Sequence, residues 1–106
     1  MEYTTMRTML KIQMSVDAAS AAIKDGRLGN VMRATMDRLK PECAYFTTMN
    51  GDRGGIIVFD LKDPSDIPSI CEPFFQEFGA KIEMHPVMTP DEVMAGLERA
   101  FAHATV

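Results

Sequence analysis

Glu83 and His85, two residues apart in the stretch AKIEMHPV, are the first side chains here whose types and spacing suit chemistry. On a strand, positions i and i+2 point to the same side, so both can reach into one space. Histidine titrates near neutrality, and a carboxylate beside it can orient the ring or take up its proton. We take His85 and Glu83 as candidate catalytic residues, with either one as the proton acceptor. The plainer alternative is a hydrogen-bonded histidine at a strand end, just before Pro86. Arg7, Lys11 and Tyr45 form a second set, able to hold an anionic or phenolic small molecule, with Arg7 or Lys11 as the anion partner. Their plainer reading is as edge residues whose stems cover a sheet.

Other chemistries find less material. A metal ion needs three or four suitable ligands. Glu83 and His85 supply two, so no metal site is expected. Cys71 falls on an apolar helical stripe, as a buried and inert thiol does. Cys43 precedes a strand with no activating partner in view, and two cysteines make neither a disulfide framework nor a metal spacing. His103 is expected to meet solvent at the end of the last helix. The RGG at 53–55 lacks the GxxxxGK[ST] spacing of a phosphate loop and reads as a hairpin turn or bulge.

The elements that position these residues follow from periodicity. Residues 6–14 alternate, with Met6, Thr8, Leu10, Ile12 and Met14 on one side and Arg7, Met9, Lys11 and Gln13 on the other, which predicts a first strand. Ser15 or Asp17 can cap the helix that follows. Two helical stripes, Ala19 to Ile23 and Leu28 to Leu39, flank DGRLGN, so a short helix, a break and a longer helix ending before Pro41 are expected, with one kinked helix as the alternative. Residues 44–50 read as a second strand, NGDRGG as a turn, and residues 55–61 as a third strand. Ile67, Ile70, Cys71, Phe74 and Phe78 repeat at helical spacing, which predicts a helix over 66–78. Pro68 suits its first turn, and Pro73 should kink it or delay its start. Residues 80–87 form a fourth strand. Thr89-Pro90-Asp91-Glu92 is a capping box opening a final helix with the stripe Val93, Met94, Leu97, Ala100, Phe101.

The whole chain bounds the function. Its 106 residues suit one domain spanning 1–106. Ten Met and no Trp suggest a core or pocket lined by adaptable side chains. A net charge of −4, with Lys and Arg dispersed, matches a phosphate backbone poorly. RNA-recognition motifs share the element order but need stacking aromatics on their central strands, where this chain has Ile56 and Ile57. No nucleic-acid partner is therefore expected. No apolar run reaches the roughly 20 residues a membrane span needs, and no secretory signal is visible, so a cytoplasmic setting is the default.

The order β-α-β-β-α-β plus one helix predicts an α+β ferredoxin-like sandwich, a four-stranded antiparallel sheet with helices on one face. Right-handed crossovers put both connections on one side, against Leu10, Ile12, Ile82 and Met84. In GGIIVFDL, Ile56 and Val58 face one way and Ile57, Phe59 and Leu61 the other, and both faces are apolar. Leaving such side chains in water forgoes about 1.5–3 kcal/mol each. The open face also carries Met9, Tyr45 and Met49, together with Arg7, Lys11, Gln13, Glu83 and His85. A patch of this kind marks an interface or a ligand groove.

The segments MLKIQMSV, GGIIVFDLKDPSDI and AKIEMHPVM, spread between Arg7 and Leu97, resemble the dimeric α+β barrel superfamily. VFDLKDPSDI is similar to the strand-then-capped-helix junction of muconolactone-isomerase-like members and of small bacterial domains of unknown function. The resemblance implies ferredoxin-like subunits whose sheets pack face to face in a homodimer. It also implies a function among those of the superfamily's cofactor-independent monooxygenases, isomerases, haem-handling enzymes and members with no known reaction, and it carries over no catalytic residue. The Trp-containing site of some monooxygenase-like members cannot exist in a chain without Trp. The expected function is thus small-molecule binding between sheet and partner, without a cofactor. The alternative is a non-catalytic dimeric interaction or regulatory module.

Overall fold

The computed structural model describes residues 6–104, with side chains through residue 102. The strands are β1 (Met6–Met14), β2 (Cys43–Met49), β3 (Asp52–Leu61) and β4 (Lys81–Pro86). The helices are α1 (Val16–Lys24), α2 (Arg27–Leu39), α3 (Ile67–Phe78) and α4 (Pro90–Ala104). A 3-10 turn over Pro64–Asp66 leads into α3. The sheet runs β2-β3-β1-β4, and each neighbouring pair is antiparallel.

Local chemistry sets most boundaries. The Ser15 hydroxyl caps α1 by accepting the Ala18 N–H at 3.1 Å. Gly26, at φ +84°, makes the break between α1 and α2, so the two-helix reading holds. Asn50 and Gly51, at φ +53° and +82°, form a two-residue hairpin turn of the type that matches strand twist. The turn is therefore shorter than NGDRGG, and residues 52–55 belong to β3. Gly54 and Gly55 are neither turn nor bulge. They lie in the strand where neighbouring side chains cross it: a Cβ at Gly54 would come 2.5 Å from Met49 Cβ, and one at Gly55 2.7 Å from the Phe46 ring.

Helix α3 runs unbroken through Pro73. Proline forfeits the bond to the carbonyl four residues back, that of Ser69, and here both residues are exposed beside an open groove where water can reach that carbonyl. Gly79, at φ +53°, ends the helix.

The core lies between one sheet face and α1 to α3. It joins Leu10, Ile12 and Met14 of β1 to Ile57, Phe59 and Leu61 of β3, with Ala19 and Ala22 of α1 and Ile70, Phe74 and Phe78 of α3. Ile82 and Met84 pack at its margin, as do Val31, Met32, Met36 and Leu39 of α2. The Phe74 and Phe78 rings meet edge to face at 5.8 Å. Cys71 is buried, and burial pushes its thiol up from the ordinary range. The covered half of IIVF is thus Ile57 and Phe59, leaving Ile56 and Val58 on the bare face. No helix among the described residues is long and apolar enough to cross a membrane.

Helix α4 is different. None of its side chains joins the core cluster among the described residues. Met94, Leu97 and Phe101 are 59%, 43% and 65% exposed. The radius of gyration is 16.9 Å, against about 13 Å for a compact chain of this length, and the long axis is 60 Å. The side chain of His103 lies outside the described residues.

Candidate functional site

Strand alternation and register together place all five candidates on the bare sheet face. Register sets them in rows across the strands. One row runs Glu83–Lys11–Ile56–Tyr45, from β4 through β1 and β3 to β2. The adjacent row runs His85–Met9–Val58–Cys43. Beyond it Arg7 stands opposite Asp60. Polar groups cluster at the β4 end of these rows, and apolar ones occupy the middle.

Three candidates meet at the β4 end. His85 Nε2 lies 3.0 Å from Glu83 Oε1, and Lys11 Nζ lies 4.0 Å from Glu83 Oε2. An ionised carboxylate only accepts, so Nε2 carries the proton in this bond and Nδ1 is left to the other face of the ring. The His85 hydrogen bond, then the Lys11 charge, holds the Glu83 carboxyl below its ordinary value. All three side chains are at least a third exposed. The cluster can hold or pass a proton and present one cation to a ligand.

Tyr45 and Arg7 stand apart from that cluster. Tyr45 sits two strands from Lys11, about 10 Å away, with 70% of its surface exposed. Arg7 turns to the sheet rim. Its Nε donates to Glu42 Oε1 at 2.6 Å and its Nη1 reaches Glu92 Oε1 at 3.4 Å. The bond to Glu42 and that residue's charge raise the guanidinium above its ordinary value. Arg7 thus ties the chain before β2 to the start of α4. Its own carbonyl accepts the Val87 N–H at 3.0 Å, which anchors the approach to that helix.

The sequence reading missed Cys43 as a member of this face. It opens β2 rather than preceding it, and it is half-buried opposite Val58. Stepping back two positions from Tyr45 would have found it. Glu42 and Glu92 were also missed, because their pairing with Arg7 spans 35 and 85 residues of chain. On the other side of the sheet, two apolar grooves of about 360 and 390 Å³ adjoin α2 and β2. A third, of about 170 Å³, lies between α2 and α3. None of the five candidates lines these three.

Comparison with curated proteins finds no match, and comparison with solved structures finds none either. A family match covers residues 6–101, all four strands and nearly all of α4, and the chain belongs to that family, described as a domain of unknown function (DUF3303).

Proposed function

We propose that this chain is a homodimeric small-molecule-binding domain of the ferredoxin-like, dimeric α+β barrel kind. Its bare sheet face meets that of a second copy and encloses a small site lined by Lys11, Glu83, His85 and Tyr45. The observation that carries this reading is the row Glu83–Lys11–Ile56–Tyr45. It offers a charged end, an apolar middle and a phenol, which suits a ligand with an apolar body and one polar end. The adjacent Met9 and Val58 extend the apolar middle. The strand order and the one-sided helix layer support the same architecture. Within the site, Glu83 or His85 accepts a proton and Lys11 faces an anionic group. Arg7 closes the rim of the face.

One observation favours a plain interaction module instead. Lys11 and His85 both turn to Glu83, and Arg7 to Glu42, so these charges are already answered within the chain. Native mass spectrometry of the protein as purified tests both readings. A mass of two chains plus a small molecule, lost in His85→Ala and Glu83→Ala while the dimer survives, is the expected result. A bare dimer that binds nothing from a library of aromatic and aliphatic acids would favour the interaction module. A monomer would remove both readings.

A further inference from the structure

Helix α4 carries an apolar stripe that the other described residues leave exposed. Val93, Met94, Leu97 and Phe101 recur at helical spacing and are all exposed. On the opposite edge of the sheet lies an apolar recess. The two grooves beside α2 and β2 adjoin at Met32 and Phe46 and are taken together as one trough, lined by Leu28, Met32, Met36, Ala44 and Phe46 with Arg33, Asp37 and Arg53. Phe46 is 56% exposed there. Strand β2 is also a sheet edge, which proteins commonly cover.

We infer that the trough receives helix α4 of a second copy of this chain, and that the exchange is reciprocal in a two-fold dimer. This inference rests on the dimer proposed above. Lengths agree: Leu28 to Met36 and Val93 to Phe101 each span eight residue steps, about 12 Å of helix. The methionines of the trough can adapt to a helix laid against them, as in other helix-in-groove contacts. Charge is mixed on both sides: Arg33, Asp37 and Arg53 line the trough, with Arg33 and Arg53 bonding the neutral oxygens of Asn30 and Ser20, while α4 brings Asp91, Glu98 and Arg99.

Connectivity selects a second copy over the chain's own helix. Helix α4 leaves from β4, the edge farthest from β2, and its start is held there by Arg7. When two sheets stack across a two-fold axis, the β4 edge of one can lie beside the β2 edge of the other. Area points the same way. Four strands about 4.8 Å apart and about 25 Å long give a flat footprint of roughly 500 Å². Interfaces of standard size bury about 800 Å² per partner. One helix given and one received add roughly 240 Å² per chain, which closes most of that gap.

The test uses two full-length chains, both carrying Cys43→Ser. One also carries Met32→Cys, at the centre of the trough, and the other Leu97→Cys, at the centre of the stripe. These central positions meet whichever way the helix runs. Under mild oxidation of the mixture, a disulfide joining positions 32 and 97 of different chains is expected, in species no larger than two chains. Leu97→Asp in an otherwise unaltered chain should raise the dimer dissociation constant by about 30-fold or more. Its thermal unfolding should match that of the parent diluted below its dimer dissociation constant, since α4 lies outside the core. A parent that sediments as a dimer but forms no 32–97 link, with Leu97→Asp associating normally, overturns this inference and leaves the dimer standing. In a single chain carrying Cys43→Ser, Met32→Cys and Leu97→Cys together, linked ladders of many chains in place of a doubly bridged pair would overturn the reciprocal closure. A parent that sediments as a monomer at micromolar concentration overturns both proposals.

Discussion

At the scale of single residues, Glu83 is where structure adds most to composition. Its carboxyl is held below the ordinary value of 4.5 by the His85 bond and the Lys11 charge. A carboxylate depressed in the folded state contributes stability above its unfolded value, and that contribution is lost as pH falls through the folded value. The group is largely exposed, so the effect belongs to local titration and not to global stability. In His85→Ala, the Glu83 side-chain carbon should titrate at higher pH than in the parent. An unchanged titration in carbon-detected NMR would mean that the bond does not form in solution. The paired glycines make a second residue-scale prediction. Gly54→Ala drives a new Cβ against the Met49 Cβ, which is fixed to the backbone, and should cost about 1–3 kcal/mol in urea unfolding. Gly55→Ala meets the half-exposed Phe46 ring, which can swing out, and should cost less. Equal losses would show that the ring is not free to move.

At the scale of elements, caps were legible because they are local. Thr89 accepts the Glu92 N–H at 3.2 Å, and Glu92 accepts the Thr89 N–H at 2.8 Å, as the four-residue pattern predicts. That backbone bond keeps the Glu92 carboxyl low. Thr89→Ala should weaken the start of α4 by about 1 kcal/mol. Amide exchange should speed up at the first turn of α4 and not in β1 or β3. Acidification below the ordinary carboxylate value should fray the same turn as Glu92 takes up its proton. Pro73 shows the limit of local reading. A proline inside a helical stripe warns of a kink, but whether the freed carbonyl meets water depends on the groove beside α3.

At the scale of the whole molecule, the proposed dimer assigns folding to one face of β3 and assembly to the other. Phe74→Ala removes a fully buried ring and should cost about 3–5 kcal/mol, enough to threaten a domain of this size. Ile56→Asp, on the bare face, should leave the monomer's unfolding midpoint nearly unchanged while abolishing the proposed dimer, since a partner sheet would bury an unpaired charge. Sedimentation and urea titration of the same sample separate these outcomes. Loss of folding in Ile56→Asp would move that side chain into the core.

Alternation of period two, helical stripes of period 3.6 and the cap residues are properties of neighbouring positions, and they sufficed to order the strands and helices and to sort β1 and β3 into two faces. They could not say that Ile57 and Phe59, rather than Ile56 and Val58, meet the helices, because alternation defines two sides without naming either. Nor could they align Lys11 with Glu83 and Ile56, or bring Glu42 and Glu92 to Arg7, because register and long-range pairs arise only when distant strands hydrogen-bond. The bareness of the α4 stripe is likewise a matter of packing: amphipathic helices that are covered and uncovered share one pattern, and only the placement of neighbours tells them apart.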